Sequence, residues 1–152
     1  MNVVKEFISN HMLCCAFISY FAAQFLKIII CLLRDRRLDF GLMFASGGMP
    51  SSHASTVTAL AISAFRLYGF SSPLFAISAV LASIVMYDAA GVRRATGEHA
   101  KVLNRLLADL TSGDPELAET GLKELIGHTP FQVTMGALLG FVIAVVVPLP
   151  VI

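Results

Sequence analysis

The ten acidic and eleven basic side chains of this 152-residue chain are bunched, and the stretches between the bunches have the length of a bilayer crossing. Residues 7–33 are interrupted only by His11 and Lys27, while residues 40–65, 67–87 and 125–152 contain no Asp, Glu, Lys or Arg. A membrane-crossing helix needs roughly 20 apolar residues, with a working range of about 17–25. The pattern predicts spans near 12–33, 52–69, 73–91 and 130–150, within a single membrane domain over residues 1–152. The fold class that follows is all-α: an integral membrane helical bundle of about four transmembrane helices plus an amphipathic interfacial helix. Only 14% of the residues are charged and 57% are hydrophobic, against about a quarter and about half in soluble domains. That balance excludes a disordered chain and a nucleic-acid binder, and it argues against a soluble enzyme.

Segment 92–127 is the one soluble-looking piece and reads as a cytoplasmic helical insert. Over 95–110, Ala100, Leu103, Leu107 and Leu110 share one face, with Glu98, Lys101, Arg105 and Asp109 elsewhere. This is an amphipathic helix for the membrane surface or the side of the bundle. Thr111-Ser112-Gly113 breaks it, and Asp114-Pro115 starts another helix that ends by Gly127. The first apolar stretch is too long for a signal peptide and reads as a retained span. Cys14, Cys15 and Cys31 lie inside it and read as small buried hydrophobes. Arg34, Arg36, Arg37, Arg93, Arg94, Lys101, Arg105 and Lys123 fall on one side, against Lys5 and Arg66 on the other. The positive-inside bias puts the richer side in the cytoplasm.

In a chain like this the informative residues are the ionisable ones that a bilayer should expel. Lys27, His53, Asp88, the Arg93-Arg94 pair and His128 all fall near span ends and, with alternating helices, on one side. Each has a structural alternative. Lys27 can snorkel to the headgroups, Asp88 can pair with Arg93 or Arg94, and a histidine at a helix start can be a capping group.

The surroundings of the two histidines point further. Ser46-Gly47-Gly48-Met49-Pro50-Ser51-Ser52-His53 is a glycine- and serine-rich loop entering a helix, where free N–H groups and hydroxyls favour phosphate. Gly127-His128-Thr129-Pro130 puts the second histidine at another helix start, ahead of Gly136-Ala137-Leu138-Leu139-Gly140. Two histidines beside a phosphate cradle suit one nucleophile and one general acid, with cations on the remaining oxygens. No acidic cluster is present to hold a pair of metal ions, so neither a metal nor another cofactor is expected.

These residues carry a resemblance. Met49-Pro50-Ser51-Ser52-His53 resembles the P-S-G-H motif of the type 2 phosphatidic acid phosphatase superfamily, which includes the vanadium haloperoxidases. Residues 127–140 are similar to its third motif, and Lys27 with Arg34 match the K-x6-R of its first. Together with Y-D-A-A-G-V-R-R at 87–94, V-L-N at 102–104 and L-K-E-L-I-G-H-T-P at 122–130, the chain resembles the small, divergent bacterial and plant branch of that superfamily. The resemblance runs from Lys27 onward and implies a metal-independent lipid phosphate or pyrophosphate phosphatase of lipid metabolism, set in a bacterial inner membrane. His128 would be the nucleophile, forming a phosphohistidine, and His53 the general acid. Lys27, Arg34, Lys123, Ser51 and Ser52 would bind phosphate, and the substrate would be a phospholipid or a polyprenyl phosphate.

The sequence also departs from the pattern. Ser52 replaces a glycine, Asp35 replaces a proline beside Arg34, and Lys123 stands one residue from the place of an arginine. Arg36, Arg37, Arg93 and Arg94 are alternatives for the phosphate. Gln132 occupies the position of the acid that orients the nucleophile, with Glu124 and Asp88 as possible supporting acids. The rival reading is a non-catalytic protein that binds or transports anionic lipid and retains the phosphate pocket. Gly136 and Gly140 form a small-xxx-small face suited to close packing within the chain or in a homodimer.

Overall fold

A computed structural model describes residues 3–36, 38, 40–43, 48–110 and 128–149, with the side chains of residues 3, 4, 40, 92–94 and 108 outside that description. Lys123, Glu124 and the helix expected from Asp114 lie outside the described residues. The elements in order are α1 (Val3–Ser9), α2 (His11–Asp35), a 3₁₀ turn (Phe40–Met43), α3 (Ser52–Tyr68), α4 (Pro73–Ala90), α5 (Val92–Leu110) and α6 (Pro130–Val146).

Local chemistry sets the helix starts. The side chains of Asn10, Ser51, Ser72 and Thr129 each accept a backbone N–H from the first turn of α2, α3, α4 and α6. This satisfies donors that a helix leaves orphaned. Pro73 and Pro130 occupy the first helical position, where no N–H is missed. Gly69, with φ of 81°, ends α3 in the left-handed region that favours glycine. Between α4 and α5 the helical ladder continues, with Gly91 N–H donating to Tyr87 O at 2.9 Å and Ala95 N–H to Gly91 O at 3.0 Å. The amphipathic helix expected from residue 95 thus begins at Val92, directly off α4.

The packing is inverted relative to a soluble protein. The largest fully buried side chains are Cys15, Ser19, Ser51, Ser55 and Ser63, whereas Phe21, Phe25, Ile77, Val80, Ile84, Phe131 and Val142 face outward. A water-soluble chain would exchange these sets. In lipid, small residues let helices approach while large apolar ones face the acyl chains. His11–Asp35 and Pro73–Leu107 are long and apolar enough to cross a membrane, and Pro130–Val146 is a shorter apolar helix. The chain is an all-α membrane bundle.

Helix α3 is central and packs on α2, α4 and α6. Its contact with α6 is backbone on backbone. A Cβ at Gly136 would collide with the Ser51 carbonyl oxygen, and one at Gly140 with that of Ser55. The glycine face is therefore occupied inside the chain and is not left for a second copy. On the α2 side, the Ser19 and Ser55 hydroxyls share a buried hydrogen bond of 2.5 Å. At the far end, the Arg66 guanidinium donates to Ala144 O and, at 2.9 Å, to Val147 O, satisfying carbonyls that α6 leaves open at its C-terminus.

Candidate active site

One backbone hydrogen bond joins the two histidine-bearing helix starts. Ser51 N–H, just ahead of α3, donates to Gln132 O in the first turn of α6 at 3.1 Å. The latch is possible because Gly136, one turn further along α6, has no Cβ to hold Ser51 away. It places His53, in the first turn of α3, beside His128, just ahead of α6, with ring centroids 6.4 Å apart and planes at 61°. At that separation one small group can touch both imidazoles. His128 is only 3% exposed and His53 is half-buried.

Gln132 fixes the chemistry of His128. Its Oε1 accepts the Thr129 N–H at 3.0 Å, while Thr129 Oγ1 accepts the Gln132 N–H at 3.3 Å, forming a reciprocal capping box. A backbone N–H can only donate, so the carboxamide oxygen, not its nitrogen, faces this turn. The same oxygen lies 3.3 Å from His128 Nδ1. Nδ1 must then carry the proton, which leaves Nε2 with its lone pair. That is the tautomer a nucleophilic histidine needs.

Lys27 lies inside the bundle, 2% exposed, with its stem beneath the loop that enters α3. A Cβ at Gly48 would stand 3.8 Å from Lys27 Cδ, and Gly48 has the left-handed φ of 80° that glycine tolerates. Gly48 therefore lies over Lys27, the cation in the middle of α2. From the other side, Ala89 packs with Ala54 and Val133 in a buried cluster. This brings the end of α4, and half-buried Asp88 with it, to the same end of the bundle as the histidines.

Other expected site residues stand differently. The Ser51 N–H is engaged with Gln132 O, and its Oγ accepts the Ala54 N–H at 3.4 Å. Ser51 thus acts as latch and cap, and its amide is not open to an anion in this arrangement. Ser52 is buried, its carbonyl accepting the Thr56 hydroxyl at 2.7 Å. The Arg34 side chain is 84% exposed and lies 3.9 Å from Asp35. A residue that the sequence reading passed over is Gln24, buried one turn before Lys27 and bonded to Tyr20 and Met43. Its signal was an amide within an apolar stretch, which a count of charges does not register.

The "Divergent PAP2 family" profile matches residues 8–143. The chain is also 40% identical over 151 residues to the uncharacterized membrane protein YuiD of Bacillus subtilis (strain 168), covering 93% of this chain and 96% of that one. No solved structure matches it. The profile takes in Lys27, His53, Gln132 and His128, the residues that the bundle gathers at one end, and the chain belongs to the divergent PAP2 family.

Proposed function

We propose that this chain is a metal-independent lipid phosphate or diphosphate phosphatase that works through a phosphohistidine at the membrane interface. The observation that carries the reading is the His53–His128 pair, with Nδ1 of His128 facing the Gln132 oxygen. The Nε2 lone pair of His128 attacks phosphorus. The bond from phosphorus to the lipid oxygen breaks, and protonated His53 delivers its proton to that leaving oxygen. Neutral His53 then takes a proton from water, which attacks phosphorus. The N–P bond breaks, its electron pair returns to Nε2, and inorganic phosphate departs. Gln132 accepts the Nδ1–H throughout, and Lys27 compensates charge on the phosphoryl oxygens.

The substrate class, a phospholipid phosphate or a polyprenyl phosphate, rests on family membership and on a bundle whose outer surface is apolar. We place the protein in a cytoplasmic membrane with the site on the cytoplasmic side. Arg66, one of the two cations on the other side, is engaged with α6 carbonyls, which weakens its vote in the charge count. Lys123, Glu124 and the paired arginines at 93–94 are further phosphate-binding or supporting residues in this reading.

A second reading follows from Gln132 itself. An uncharged amide in the place of the orienting acid suits a protein that binds anionic lipid without turning it over. One assay separates the two. Purified protein in detergent, without added metal, is given phosphatidate, phosphatidylglycerophosphate or polyprenyl diphosphate, and released phosphate is measured. Release abolished by His128→Ala and strongly reduced by His53→Ala, with an acid-labile phosphoprotein trapped on the wild type, supports the phosphatase. Saturable lipid binding with no release from any substrate supports the binder.

A further inference from the structure

The chain between α2 and α3 does not leave the end of α2 outward. Its 3₁₀ turn packs back against α2, where the Met43 carbonyl meets Gln24, and Gly48 then lies over Lys27. Gln24 stands eleven positions before the end of α2 at Asp35, about 16 Å along the axis at about 1.5 Å per residue. The 3₁₀ turn and Gly48 are thus re-entrant. They carry non-helical backbone to a depth where polar groups survive only if the protein satisfies them.

Gln24 supplies that partner. It is 3% exposed, and its Nε2 donates to Met43 O at 2.7 Å and to Tyr20 Oη at 3.0 Å. The orientation of the amide is forced, because a carbonyl such as Met43 O can only accept. The other end of the amide, Oε1, is buried and has no hydrogen-bond partner among the described residues. A methionine would fill the same space without leaving a buried acceptor. The amide makes sense at this position for the bond it donates.

We propose that Gln24 is a positioning residue: its bond to Met43 O holds the 3₁₀ turn at 40–43 against α2, and thereby Gly48 over Lys27, which sets Lys27 and His53 at one phosphate. The second half of that statement rests on the phosphatase reading, whereas the first does not. Through this bond, Gln24 controls how well Gly48 sits over the cation. Its loss acts on phosphate binding before it acts on bond cleavage.

The test uses the full chain in detergent as wild type, Gln24→Met, which keeps volume and removes the donor, and Gln24→His, which retains an N–H. Hydrogen exchange is read at amides 40–52 and, as an internal control, at amides 78–86 of α4. Loss of one hydrogen bond in a local opening corresponds to exchange faster by about ten-fold. That increase is expected at 40–52 in Gln24→Met, with α4 unchanged and Gln24→His partly restored. With a short-chain phosphatidate, the same variant should raise KM by about ten-fold with kcat within about three-fold, as for lost ground-state binding. Unchanged exchange at 40–52, or exchange raised equally in α4, overturns the proposal whatever the activity. If the loop loosens as expected but the wild type releases no phosphate from any substrate, the anchor stands and the phosphatase reading fails.

Discussion

Gln132 holds a carbonyl oxygen 3.3 Å from the Nδ1 of His128, and the Thr129 N–H pins that oxygen in place. An amide substituted for an orienting acid usually fails because it can present its NH₂ to the imidazole and select the wrong tautomer, at a cost of about 10⁴ in kcat for the serine protease aspartate. Here the capping box removes that freedom. On the phosphatase reading, what Gln132 lacks is only the charge that would stabilise an imidazolium-like nucleophile at His128.

Gln132→Glu should therefore raise phosphate release, and modestly, by about ten-fold, since the tautomer is already correct and only electrostatic stabilisation is added. A glutamate also fits the capping box, so the fold should be unaffected. Gln132→Leu removes both the cap bond and the Nδ1 acceptor. It should lower release by about 100-fold, a typical general acid–base contribution, and stability by about 1 kcal/mol. Phosphate release and detergent unfolding, measured on both variants, check this. A Gln132→Glu protein no faster than wild type would show that charge at this position does not limit turnover.

The contact between Gly136 and the Ser51 carbonyl separates stability from function. Gly136→Ala and Gly140→Ala each push α6 away from α3 and should destabilise by about 1–3 kcal/mol, as overpacking does. Only Gly136 bears on the latch that pairs the two histidine-bearing ends. At matched folded fraction, Gly136→Ala should lose most of its activity and Gly140→Ala should keep most of it. Equal losses would mean that the latch does not position the site.

Much of this arrangement was legible in the sequence because charge avoidance is a strong signal. Helices α2, α3, α4 and α6 lie close to where the charge-poor segments fall, and Ser72-Pro73 and Thr129-Pro130 announce two of the starts. That both histidines stand at helix starts also followed from local sequence. Their convergence was expected too, but not the contact that makes it, a hydrogen bond between Ser51 and Gln132, far apart in the chain. Arg34 matched a motif by spacing, but spacing fixes only a face of α2, and its side chain there is largely exposed. Gln24 escaped because a count of charges passes over an uncharged amide, although its bond to Met43 anchors the 3₁₀ turn. The sequence pattern ends the third span at 91 and begins the amphipathic helix at 95, yet the amides of Gly91 and Ala95 make i→i−4 bonds across that junction.

Arg66 is expected to matter for the bundle and not for the chemistry. Its two bonds to the last carbonyls of α6 lie at the end remote from the histidines. Arg66→Met keeps much of the aliphatic stem and deletes the donors. It should lower stability by about 1–3 kcal/mol through unsatisfied carbonyls, with kcat per folded molecule within about two-fold of wild type. Detergent titration of unfolding, with activity normalised to folded protein, checks both halves.

Helix α5 leaves Val102, Leu103, Leu106, Leu107 and Leu110 exposed on one side, while Lys101, Arg105, Glu98 and Asp109 take the other. An apolar stripe of that length, directly following an apolar helix, needs an apolar cover, and the membrane interface offers one with the basic residues at headgroup level. The chain contains no tryptophan, so a single introduced tryptophan reports its own depth. In vesicles containing brominated acyl chains, Leu106→Trp fluorescence should be quenched strongly and Lys101→Trp fluorescence weakly. Quenching of Leu106→Trp should persist when the protein is diluted to one copy per vesicle, because the covering surface is lipid. Loss of quenching on dilution, or equal quenching at both positions, would instead assign the stripe to a second copy of the chain or to the bundle itself.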